Sequence, residues 1–276
     1  MKKFKGFDVV ENYPEDGWLK GYFYAREEDN LASEQNCNSA YRDIDYIRHK
    51  DMAIYLLNIK YGDKILDVGC ADGAMMIYCG LLGGGEVYGY DLNFDAIKKA
   101  SEYLKKYNIK GEVRCGNAKN MDFPEEYFDK AISSDFFEHI NDKDKVEIFR
   151  EINRVLKHGG FLVIKTPNIN WLRLSLFYKR LGAIVKFKNP FKIVIPHTYG
   201  EHPEHIGLTS RSKISKLIDD SGFLNYEFKY SRNSKIEKML SKYISALLME
   251  IPIIRDYLCE DVIVKIYKPI IQTFFK

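Results

Sequence analysis

An α/β fold, with a mostly parallel sheet covered by helices on both faces, follows from three features of the 276-residue sequence. Between residues 61 and 167, short runs of β-branched and aromatic residues alternate with longer amphipathic stretches, the rhythm of β-α units. The first run, KILDV, opens into a glycine-containing loop and a helix start, GCADGAMM. Two strand-like runs near the end of the chain are set to pair with each other and close one edge of the sheet.

Residues 1–60 are polar and aromatic and read as a helical and irregular N-terminal cap. The cap ends in a helix within YRDIDYIRHKDMAIYLLNI. Strands are expected at Ile65–Val68, Glu86–Asp91, Glu112–Cys115, Lys130–Ser133 and Phe161–Thr166. A helix starts at Asn93. Another has Asn141 as N-cap, acids in its first turn and an apolar face of Val146, Phe149, Ile152, Val155 and Leu156, with Gly159–Gly160 ending it. After Thr166 the rhythm breaks for roughly forty residues. It resumes in TSRSKISKLIDDSGF, a capped helix with Ile214, Leu217 and Ile218 on one face. A strand near Leu224–Tyr230 follows, then a helix with Ile236, Met239, Leu240, Tyr243, Ile244 and Leu247 on its apolar side, and a last strand at Asp261–Tyr267. Residues 61–276 thus read as one domain with an insertion at about 168–206.

A net charge of +3 is too small for the whole chain to be a polyanion binder, although a local basic patch is compatible with it. The five cysteines, Cys37, Cys70, Cys79, Cys115 and Cys259, are odd in number and form no CxxC pair. That fits a reduced cytoplasmic interior better than a disulfide framework. The early lysines are not followed by an apolar stretch, so a signal peptide is not expected. No uncharged run approaches the ~20 residues that would span a bilayer.

The glycine loop, Gly69-Cys70-Ala71-Asp72-Gly73, is neither G-x-G-x-x-G nor a P-loop. Asp67 and Asp72 flank it, and a pyrophosphate there would face like charge. A ligand with an ammonium and a sulfonium would gain from the same acids, and the glycines would let it pass close to the backbone. Asp91 ends the second strand, 24 residues after Asp67, where an acid can accept both hydroxyls of a ribose. Asn117 follows the third strand, where a side-chain amide can meet an adenine amino group. A nucleoside with free ribose hydroxyls and a cationic tail is S-adenosylmethionine, whose product is S-adenosylhomocysteine.

The blocks ILDVGCADG, VYGYDLN, GNAKNMDFPEEYFDKAISSDFFEHI and REINRVLKHGGFLVIKTPN resemble the class I S-adenosylmethionine-dependent methyltransferases. The resemblance runs from about Tyr61 to Pro167 and returns at EHPEHIGLTSRSKISKLIDDSGF. It implies a Rossmann-like, seven-stranded sheet of order 3-2-1-4-5-7-6 with the seventh strand antiparallel. By position it puts Asp67, Gly69, Cys70, Ala71 and Gly73 around the methionine part. Asp91 and Leu92 would then lie at the ribose, Asn117 and Ala118 near the adenine, and Ser133 and Ser134 at the end of strand four. Ala74 departs from the pattern, since many relatives carry a further glycine or serine there.

A phenol or alcohol acceptor must lose a proton, so a base is sought. His139, in FFEHI, stands where relatives often have histidine facing the cleft. His202 and His205, within PHTYGEHPEHIGLT beside His197, Glu201 and Glu204, border the acceptor side in the family reading. A metal is the rival use of these side chains. Their spacing matches no familiar zinc helix, and no metal ligand is assigned. From Trp171 to Gly200 there is no Asp or Glu, but six basic and six aromatic residues. Such a segment can act as a lid over an anionic acceptor, rest on an anionic membrane through 171–192, or pack its apolar stripe on the domain. The stripe would comprise Trp171, Leu174, Tyr178 and Leu181, with Phe177 beside it. The resulting expectation is a methyltransferase, cytoplasmic or peripheral to a membrane. Its acceptor would be a small-molecule or lipid-linked compound methylated at oxygen, as in quinone-biosynthesis O-methyltransferases and related lipid- and glycan-tailoring enzymes. An RNA methyltransferase and a catalytically inactive cofactor-binding scaffold are the alternatives.

Overall fold

A computed structural model describes residues 52–81, 85–195, 205–230 and 242–270, a few positions between 233 and 240, and the short strand pairs 3–4 and 7–8. Its seven-stranded sheet comprises β1 (Lys64–Val68), β2 (Glu86–Asp91), β3 (Gly111–Cys115), β4 (Phe128–Ser134), β5 (Leu156–Pro167), β6 (Asn225–Lys229) and β7 (Asp261–Tyr267). The spatial order is β3-β2-β1-β4-β5-β7-β6. β1 to β5 pair in parallel, and β7 runs antiparallel to both β5 and β6. Strand order reverses between β1 and β4. Both strands therefore deliver the loops at their carboxyl ends to one crevice.

Helices α1 (Ala74–Leu81), α2 (Phe94–Lys106), α3 (Asp142–Val155), α4 (Ile169–Val185) and α5 (Arg211–Ser221) follow the strands, and α6 (Lys242–Met249) and α7 (Pro252–Leu258) precede β7. Alternation along β1 divides the core. Leu66 and Val68 join Phe149, Ile152, Ile214 and Ile218 on one face. Ile65 joins Met76, Ile97 and the helical residues 52–57 on the other. Helix starts are capped where short polar side chains stand, at Asn93, Asn141, Asn168 and Ser210.

Three details differ from expectation. α3 stops at Val155, because Tyr127 N donates to Val155 O (2.8 Å) and Leu156 already pairs with Phe128 in the sheet. Gly159, at φ 78°, therefore lies within β5 and not at a helix end. The buried face of α3 is Lys145, Ile148, Phe149, Ile152 and Val155, with Val146 only half-buried. The apolar side of α6 faces outward, leaving Tyr243, Ile244 and Leu247 exposed.

Candidate functional site

The loop between β1 and α1 is shaped by its backbone. Gly69 (φ 76°) turns so that its N–H donates to Tyr90 O at 2.8 Å, and a Cβ there would lie 2.3 Å from the Phe136 ring. Ala71 also sits at positive φ (44°), which costs a non-glycine residue strain. Its amide donates to Asp91 Oδ2 at 2.9 Å. The other Asp91 oxygen accepts from Asn93 N, also at 2.9 Å. One carboxylate therefore braces the loops after β1 and β2 together. Gly73 (φ 82°) serves the helix packing instead. A Cβ there would come within 2.9 Å of Ala100 Cβ, so its smallness lets α1 and α2 close up.

Beside this loop lies a cleft of about 450 Å³, within the range of small-ligand pockets. Asp67, Gly69, Cys70, Ala71 and Ser134 line it, as do Asp72, Asp95 and Asp135. Four carboxylates and one ammonium, that of Lys99, thus line it, and of the four Asp135 is paired with Lys165 beyond the lining. The balance suits a cationic ligand and disfavours a pyrophosphate. Asp67 is only 3% exposed. The Cys70 thiol is held well above its ordinary range by burial and then by the charges of Asp67 and Asp91, which makes it inert.

Gly73, Asp91, Leu92, Asn117, Ala118 and Ser133 do not line the cleft. Leu92 is exposed beyond β2. Asn117 is exposed and its Oδ1 accepts from Lys119 N (3.0 Å), while Ala118 is buried among Met121 and Phe123. The Ser133 hydroxyl is fully buried and donates to Val68 O at 2.8 Å, binding β4 to β1.

A second polar group gathers past β4 and β5. Asp135, at φ 56°, accepts from Lys165 Nζ at 2.6 Å. Glu138 lies in the short turn Phe137–His139, is 2% exposed and accepts from Thr166 Oγ1 at 3.0 Å. Burial, and after it the charge of Asp135, pushes the Glu138 carboxyl up to about 7. The rings of His139 and His205 meet edge to face with centroids 4.5 Å apart. Donor atoms of Glu138, His139 and His205 lie within 4.8 Å of one another, close enough to share a proton network or one divalent cation. His202 lies outside the described residues.

The His205 segment is held by Lys145. This lysine is fully buried on α3 and donates to Gly207 O, while Gly207 N donates to Glu138 O at 2.7 Å. A Cβ on Gly207 would meet Ile140 O at 1.9 Å, so only glycine fits. Burial lowers the Lys145 amine to about 8. Sequence reasoning missed Asp135, Glu138, Lys165 and Lys145. For the first two a signal existed: acids just past a strand's carboxyl end, in SSDFFEH, stand where ligands of such sheets sit.

Known proteins resemble this chain in sequence and in fold. The methyltransferase domain family matches residues 66–164. A sterol 24-C-methyltransferase of Saccharomyces cerevisiae is 30% identical over 163 residues, which cover 57% of this chain and 39% of the yeast enzyme. A ubiquinone biosynthesis O-methyltransferase of Bradyrhizobium sp. (strain ORS 278) is 32% identical over 120 residues, 44% of this chain and 46% of that protein. The chain thus spans less than half the length of either. In fold, it matches a crystal structure of an S-adenosylmethionine-dependent methyltransferase from Archaeoglobus fulgidus with a TM-score of 0.54 and 17% identity, over 89% of this chain and 98% of that one.

Proposed function

We propose that this chain, a member of the class I S-adenosylmethionine-dependent methyltransferases, transfers a methyl group to an oxygen of a small-molecule or lipid-linked acceptor. The observation that carries the oxygen assignment is the approach of His139 and His205 above the buried Glu138, three residues from the cleft-lining Asp135. S-adenosylmethionine, when bound, supplies an electrophilic methyl on a sulfonium whose charge is neutralised as the methyl leaves.

The chain's own residues would do the rest. Asp67, Asp72 and Asp135 would hold a cationic ligand end against the β1–α1 loop. Asp91, outside the cleft lining but hydrogen-bonded to its residues Ala71 and Asn93, would offer its remaining lone pairs to a ribose at the cleft's edge. His205 or His139 accepts the acceptor's hydroxyl proton as the new carbon–oxygen bond forms. Glu138 lies close enough to stabilise the resulting imidazolium. Aligning the reactants in a protected cleft is worth several kcal/mol before any base acts, on the order of 7–11 in favourable cases.

The relatives named for sterol and ubiquinone-precursor methylation favour an apolar, ring-bearing acceptor. A screen for S-adenosylhomocysteine release over phenolic quinone precursors, polyprenyl-linked sugars and RNA tests the reading. Turnover with either of the first two is expected. Turnover with RNA alone would contradict the proposed acceptor, and silence on all three despite cofactor binding would leave the scaffold alternative.

A further inference from the structure

α4 leaves the site directly. It is capped by Asn168, one residue after β5 ends, and begins with Trp171 and Leu172 buried. Its second half does the opposite. Phe177, Tyr178, Leu181, Ile184 and Val185 are exposed, and the apolar exposure continues past the helix end in Phe191 (79%). Phe187 is wholly exposed and stands at φ 53°. A bulky residue in the left-handed region is strained, and here the strain gains no burial.

α7 packs against α4, and α6 against α7. These helices add exposed Tyr243, Ile244, Leu247 and Ile253. Along α4 and the turn after it the interleaved charges are of one sign: Arg173, Lys179, Lys186, Lys188 and Lys192 are exposed, and no acid occurs from Trp171 to Gly200, whereas exposed Glu250 joins α6 to α7.

A surface that is apolar, aromatic and basic fits two polyanions, a phospholipid leaflet and a single-stranded nucleic acid. Aromatics and lysines serve either. The aliphatic side chains decide between them. Leu181, Ile184, Val185, Ile244 and Leu247 give a base nothing to stack on, whereas they match the boundary between headgroups and acyl chains.

We propose that the distal half of α4, the 186–192 turn and the outer sides of α6 and α7 dock the protein on an anionic phospholipid leaflet. Docking there sets the start of α4, and with it the His139–His205 edge of the site, toward an acceptor carried in the bilayer. The lipid-borne acceptor rests on the methyl-transfer reading, and the docking does not.

Flotation of the full chain with phosphatidylcholine vesicles, with and without phosphatidylglycerol, tests it at low and high salt. The wild type should float with the anionic vesicles, much less with the neutral ones, and release as salt rises. K186Q/K188Q/K192Q should weaken partitioning on the order of 100-fold, roughly fivefold per lysine. F187S/F191S should weaken it by at least about tenfold. Failure of the wild type to float, equal flotation with both vesicle types, or unchanged flotation of both variants would overturn the docking, as would RNA binding without flotation. S-adenosylhomocysteine affinity, measured by calorimetry on the same proteins, should be the same in all three. A wild type that fails to float while its affinity is intact removes the docking alone. Affinity absent with flotation intact removes the methyl-transfer reading alone.

Discussion

Replacing Glu138 by glutamine tests the buried cluster through stability. The carboxyl ordinarily titrates near 4.5 and is pushed up to about 7 in the fold, first by burial and then by Asp135. Between those pH values the folded protein keeps a proton that the unfolded chain has released. Stability from this group is therefore fully present below about 4.5 and is lost as pH rises through about 7. A separation of about 2.5 pH units, at roughly 1.36 kcal/mol each, makes the loss on the order of 3 kcal/mol. Glutamine keeps the size and can still accept from Thr166, but does not titrate. The stability difference, E138Q minus wild type, should then climb by about that amount between acid and mildly alkaline pH. Urea unfolding followed by circular dichroism across pH 5 to 8, with EDTA to keep cations off the histidines, measures it. A difference that stays flat with pH would mean that Glu138 is solvated, and would refute the buried network.

The site's other residues give separable outcomes. Gly69→Ala puts a Cβ 2.3 Å from the Phe136 ring at a φ of 76°. Left-handed strain and overpacking together should cost about 2–4 kcal/mol, read as a drop in Tm, and an unchanged melt would contradict the loop geometry. His205→Ala should lower kcat by about 10²–10⁴ while leaving cofactor affinity in place, and His139→Ala should do so to a smaller extent. Equal losses of cofactor affinity in both variants would make the histidines structural.

How much of this was legible in the sequence depended on the range of the interactions involved. The strand runs were visible because local composition alone marks them, and Ile214, Leu217 and Ile218 were visible because one helix face repeats them. The end of α3 was not, since Leu156 continues the helical period and only its pairing with Phe128 turns it into strand. Tyr243, Ile244 and Leu247 have the spacing of a core face, yet the fold leaves them outside. Periodicity reports that a face is apolar and not what covers it. Lys145 and Glu138 were hidden for a related reason. A lysine or glutamate reads as solvated until a distant partner appears, and the carbonyl of Gly207 lies 62 residues from Lys145. Asp67 and Asp72 flank the glycine loop in the sequence itself, which made half of the cleft's acids readable in advance, whereas Asp95 and Asp135 reach it from the first turn of α2 and from just past β4.

Calorimetric titration with S-adenosylmethionine, comparing the wild type with Asp91→Asn, tests the central claim most directly. Asparagine keeps the side chain's size and can accept from one of the two amides, Ala71 N or Asn93 N, while its NH2 group accepts from neither the other amide nor a ribose hydroxyl. The wild type should bind one equivalent. The variant, still folded, should bind at least about tenfold more weakly, the loss of one charge-assisted hydrogen bond or more. No heat of binding from the folded wild type, or identical affinities in the two proteins, would contradict the account.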